Sequence, residues 1–184
     1  MKVKTFWLVS LLLFASCSSL KIARQDNNNS IVAISATTTG ALQKGYGITI
    51  ILENIDTQER FESKSLTRAS PHSIIQNIPQ GRYFVYQVSV PLGNMIYHNR
   101  SNNVREFFGQ INIEPNSKYY LGNFSGRMEG VGRNVSLILR INDPSIPDKL
   151  RERIENENTG WKKGEFIKLF PYKNDELIIR HRVR

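Results

Sequence analysis

The chain has 184 residues, 25 Lys+Arg against 16 Asp+Glu, three His and one Cys. That length suits one domain with a small appendage, and the ordinary share of apolar and charged residues argues against wholesale disorder. A single Cys excludes an internal disulfide framework and a Cys-rich zinc site, and three dispersed His exclude most His-clustered metal chemistry.

The N-terminus opens with Lys2 and Lys4, followed by the apolar run from Phe6 to Ala15. Ten residues are too few to span a hydrocarbon core that needs ~20 in a helix, and a basic start before a short apolar core describes a secretory leader. Phe14-Ala15-Ser16-Cys17 then resembles the box of bacterial lipoproteins: Ala15, Ser16 and Cys17 fit, whereas Phe14 stands where Leu is usual. The resemblance implies that residues 1–16 are removed, and that Cys17 receives a thioether-linked diacylglycerol and is then N-acylated with a palmitate-type chain. Two or more acyl chains give stable anchoring. The expected address is the cell envelope, at the periplasmic face of the outer membrane. Residues 17–30 read as the lipidated Cys and a polar tether with three consecutive Asn. A free chain of that length spans ~20 Å root-mean-square.

Residues 31–142 carry short β-branched and aromatic runs broken by Gly, Pro and Asn, the pattern of an all-β domain. The strands expected are Ile31–Ala36, Tyr46–Ile55, Arg60–Leu66, Ser73–Ile78, Arg82–Val90, Met95–His98, Glu106–Ile113, Lys118–Phe124 and Asn134–Ile141. Their mean spacing of about 12 residues is that of an antiparallel β-sandwich. Alternation supports it: Ile48, Ile50 and Leu52 share one face, as do Val135, Leu137, Leu139 and Ile141.

Ile75, Asn77, Ile78, Pro79, Gly81, Tyr83 and Val85 form a strand, a tight turn and a returning strand. The phrase resembles prealbumin-like modules of the carboxypeptidase-regulatory-like and collagen-adhesin B types. The resemblance implies an immunoglobulin-like sandwich scaffold and no particular reaction. Pro79 presets φ, Gly81 tolerates a positive φ, and Tyr83 starts the returning strand. Further on, Glu106–Ile113, Pro115-Asn116-Ser117 and Lys118–Phe124 look like a strand pair of other bacterial lipoproteins.

Residues 143–184 read as a C-terminal helix and basic extension. Ser145 is placed as N-cap ahead of Ile146-Pro147, with Ile146, Leu150 and Ile154 on one stripe and Thr159-Gly160 as the stop. Glu165–Phe170 and Glu176–Ile179 read as short edge strands.

No nucleophile elbow, zinc-protease, Cys pair or phosphate-loop motif occurs. The chain is therefore expected to be non-catalytic and to take no cofactor and no metal. Its basic balance fits attraction to anionic headgroups or glycans better than to nucleic acid, which an exported chain does not meet. Adjacent strand aromatics point to opposite faces, so one ring each of Phe107/Phe108 and Tyr119/Tyr120 faces out of a two-layer core. Either the C-terminal helix and Trp161 lie across that ring, which the pattern favours, or an aromatic row is open to a ligand. The candidate binding residues are thus Tyr119, Tyr120, Phe107, Phe108, Arg127 and Arg133. The function expected is a lipid-anchored envelope protein in a structural or accessory role, touching the membrane through Cys17 and having an envelope protein or glycan as partner. The alternative is a surface module binding glycan or peptide through exposed aromatic and Arg side chains.

Overall fold

Tyr46 and the tether up to Asn27, Ile22 apart, lie outside what the computed structural model describes, namely residues 22, 28–40, 47–92, 95–100, 102–131, 134–143, 145–156, 159–161, 165–169 and 176–182. Period-two alternation sets the strands: Ile50 and Leu52 are buried in β2 (Thr49–Asn54), and Ile111 and Ile113 in β7 (Gln110–Ile113). The other strands before the C-terminal region are β1 (Asn29–Gly40), β3 (Arg60–Glu62), β4 (His72–Pro79), β5 (Gly81–Leu92), β6 (Met95–Asn99), β8 (Lys118–Val131) and β9 (Asn134–Asp143). Two short helices, α1 (Asn102–Phe108) and α2 (Asp148–Ile154), and the strands β10 (Ile167–Lys168) and β11 (Glu176–Arg182) complete the described elements.

They form two sheets. The first runs β11-β9-β8-β1-β4, with β10 added on β8; the second runs β3-β2-β5-β6, with β7 added on β5. The all-β sandwich expected from the sequence is present. Its pairing is antiparallel except that β1 and β10 each lie parallel to β8. The main core fills the space between the sheets with Val32, Ile34, Leu121 and Leu139 of the first against Ile50, Leu52, Val85 and Val88 of the second.

The turn between β4 and β5 shows why its residues were recognisable. Tyr83, fully buried, donates its hydroxyl to the Pro79 carbonyl at 2.8 Å. Burial pushes that phenol above its ordinary pKa. Asn77 is left-handed at φ 57°, and Gly81 has the expected positive φ, 157°, which L side chains rarely adopt. Gly81 also allows a close approach: a Cβ there would lie 2.7 Å from Asn54 Nδ2. The Asn54 side-chain oxygen in turn accepts the Asp56 and Thr57 amides, at 2.8 and 3.0 Å, and so shapes the β2–β3 turn.

The expected strand Glu106–Ile113 divides in two. Val104, Phe107 and Phe108 fall at i, i+3 and i+4, a helical spacing, and all three are buried in α1. Gly109 at φ 67° ends the helix, its amide donating to the Arg105 carbonyl at 2.8 Å. β6 pairs with one end of β5 and β7 with the other. The helix joining those two strands supplies the apolar cover for the middle of that edge.

The C-terminal region belongs to the same fold. β11 pairs with β9, and β10 pairs with Tyr119 and Tyr120 of β8, where β9 no longer reaches. α2 starts at Asp148 with Pro147, not Ser145, at the N-cap and no side-chain cap bond. A residue before proline is held out of the helical region, so Ile146 cannot join the helix. Thr159 closes the far end, donating its hydroxyl to the carbonyls of Ile154 at 2.6 Å and Asn156 at 2.8 Å. The expected stripe does face the domain: Ile146, Leu150 and Ile154 pack with Trp161 and Phe166 on Ile31, Ala33, Ile74 and Tyr120, a second core on the outer face of the first sheet.

At the rim of this second core Lys118 Nζ meets Glu155 Oε1 at 2.5 Å, both side chains only 8% exposed. The Lys118 ammonium also lies 4.7 Å from the Phe166 ring centroid. Removing one partner of a buried pair leaves the other charge desolvated. Lys118→Met is expected to lower the unfolding free energy by about 3 kcal/mol, and Lys118→Met with Glu155→Leu to recover most of it. Urea denaturation of the two variants measures both values.

Candidate functional site

Of the residues singled out in the sequence, Cys17 and Arg133 lie outside the described residues. Tyr119, Tyr120, Phe107 and Phe108 are between 0 and 5% exposed, so they form no open aromatic row. Tyr119 points into the main core, and its hydroxyl accepts the Glu114 amide at 2.7 Å. Tyr120 faces outward but lies beneath α2 and Trp161. Phe107 and Phe108 are helical rather than extended, which removes the alternation that would have turned one of them outward; their rings meet edge to face at 5.0 Å. Arg127, half-exposed, is bound to Glu129 of its own strand at 3.0 Å.

The accessible aromatic surface lies elsewhere, on the outer face of the second sheet. Between Ile51 and Leu52 of β2 the register slips, so that Tyr86 is an extra residue on β5. Bulges of this kind re-aim side chains. Phe84 and Tyr86 are both half-buried, with ring centroids 6.4 Å apart. Three guanidinium groups from three different elements rest on them. Arg60 of β3 lies 3.9 Å from the Tyr86 centroid, Arg100 just after β6 lies 4.9 Å from it, and Arg105 of α1 lies 3.9 Å from the Phe84 centroid.

Their hydrogen-bond partners fix two of these guanidinium groups. Arg60 Nε binds Glu53 Oε2 at 2.7 Å, and this bond holds the arginine even more firmly protonated than usual. Arg100 Nε donates to Gln87 Oε1 at 2.5 Å, and Gln87 in turn donates to Ser89 Oγ at 2.5 Å. Arg82, at the margin of the same face, pairs with Asp56 at 2.5 Å; hydrogen bonding to Arg82 lowers the Asp56 pKa. That pair is open to water, where such contacts contribute little. Guanidinium groups carry the N–H donors that recognise carboxylate or phosphate oxygens.

The sequence carried a faint sign of this face. Phe84 and Tyr86 share one side of an expected strand, but Arg105 falls just before the expected strand Glu106–Ile113 and not in a helix, so the sequence does not place it over Phe84. Among the described residues no cluster of three or more His, Cys, Asp and Glu side chains is arranged to hold a metal ion, and no helix is long and apolar enough to cross a membrane. No protein-family model and no curated protein matches this chain.

His72 stands apart from that surface, on the strand flanking β1. Its Nδ1 is 3.0 Å from Ser35 Oγ. Burial, and secondarily the Arg153 charge on α2, push its pKa below the ordinary value of 6.5. Protonation is thus harder in the folded chain than in the unfolded one. Its contribution to stability is present above pH 6.5 and is lost as the pH falls through the lowered folded value. His72→Asn is expected to shrink the fall in urea midpoint between pH 7.5 and pH 5, a range of about one to two units on either side of the free histidine pKa. Parallel decline of variant and wild type would contradict this.

Proposed function

We propose that this protein is a lipid-anchored, non-catalytic component of the cell envelope, with a structural or accessory role, held at the periplasmic face of the outer membrane through Cys17. The observation that carries this reading is the chain's one Cys standing directly after Phe14-Ala15-Ser16, at the end of a basic and apolar leader. The position of Ile31 supports it as well: the sandwich begins its buried β1 only a short polar stretch after that Cys. Metabolic labelling with an alkyne palmitate tests the anchor. The wild-type chain is expected to take the label and Cys17→Ala to lose it, while the variant still folds. Label persisting on the variant overturns the reading.

A second reading is favoured by the arrangement of Arg60, Arg100 and Arg105 over Phe84 and Tyr86. This face suits a glycan or peptide bearing carboxylate or phosphate groups. Arg100→Ala with Arg105→Ala is expected to weaken binding of the detergent-solubilised chain to anionic glycans on an array about tenfold, the factor that about 1.4 kcal/mol represents. Equal retention by variant and wild type counts against it.

A further inference from the structure

The second core holds one residue from far upstream. Ile22, half-buried, packs against the cluster of Ile146, Leu150, Ile154, Trp161 and Phe166 on the outer face of the first sheet. Ile22 is five residues from Cys17. At ~3.5 Å per extended residue, the Cα of Cys17 stays within about 18 Å of that of Ile22. A leash free over all thirteen residues up to Ser30 would let the domain tumble on its anchor. A leash that ends at Ile22 pins one chosen side of it.

From this we infer that the domain stands on the bilayer with its α2 face toward the headgroups, and with the Arg60, Arg100 and Arg105 face turned to the aqueous side. The inference rests on the reading of Cys17 as the lipid-bearing residue; Ile22 is what adds the orientation. The partner of the α2 face is a lipid surface containing anionic headgroups. Lys149 and Arg153 are exposed there and Arg151 is half-exposed, with Asp148 and Glu152 beside them. The excess of one cation is modest, so the docked Ile22 and not charge alone sets which side faces the membrane. Sheet packs on sheet at ~10 Å and helix on its neighbour at about the same distance, so the opposite face lies some 20 Å further out. That places the arginine-covered rings where a ligand in the aqueous space can reach them without competing with the bilayer.

The lipid occupies the chain's one thiol, so an introduced Cys can be labelled alone. Glu152→Cys puts an environment-sensitive fluorophore on α2, and Asn112→Cys puts one on the exposed side of β7. The mature lipidated chain is reconstituted into phosphatidylethanolamine–phosphatidylglycerol vesicles carrying a headgroup-attached quencher. The label at position 152 is expected to be quenched at least threefold more than that at 112. Adding Ile22→Asp is expected to remove the difference while the chain still floats with the vesicles. Equal quenching at the two positions in a floating chain, stronger quenching at 112, or a difference that survives Ile22→Asp overturns the orientation and leaves the anchor standing. A chain that does not float overturns the anchor itself, and the orientation with it.

Discussion

Two adjacent strands in this fold are apolar on both faces. In β1, Val32 and Ile34 point into the sandwich while Ile31 and Ala33 point out of it. In β8, Tyr119 and Leu121 point in while Tyr120 points out. Parallel pairing is characteristic of strands covered on both sides, and β1 and β8 are paired in parallel. A two-layer sandwich cannot satisfy such a pair, because its outer apolar row would face water at roughly 25 cal/mol per Å². The C-terminal region resolves this by laying α2, Trp161 and Phe166 over the row and adding β10 at the uncovered edge of β8. The Lys118–Glu155 pair then ties the start of β8 to the end of α2.

Much of this was legible because the physics is local. Alternation located the strands, and the i, i+4, i+8 spacing of Ile146, Leu150 and Ile154 located the stripe that faces the domain. The doublet Tyr119-Tyr120 turns one ring out of the two-layer core, since adjacent residues of a strand cannot share a face, and so leaves a covering layer or an open aromatic row as the two readings. Phe107-Phe108 carried the same doublet with a different meaning. Val104 three residues earlier makes it a helical face, and a short aromatic run is ambiguous between the two periods. The parallel pairings of β8 were not legible at all, because pairing between strands distant in sequence leaves no local trace. The arginine cluster was hidden for the same reason: Arg60, Arg100 and Arg105 converge only through the topology of the second sheet and the bulge at Tyr86.

The covering layer is also what gives the molecule two unlike sides. On one, Ile22 packs against the second core. On the other, the rings of Phe84 and Tyr86 are roofed by arginines that come from β3, the end of β6 and α1. In the orientation proposed above, the first sheet and its helix would face the membrane and the second sheet the space beyond it.

Both sides depend on the covering layer being part of the cooperative fold and not a loose flap. Amide hydrogen exchange on the native chain measures this directly. If β1 and β8 are held by cover on both faces, the amides of Leu150–Glu155 exchange at the same free energy as those of Ile31–Ile34 and Tyr119–Leu121, all through global unfolding. Exchange of the α2 amides through a smaller, separate opening, with the two strands still protected, would contradict the account.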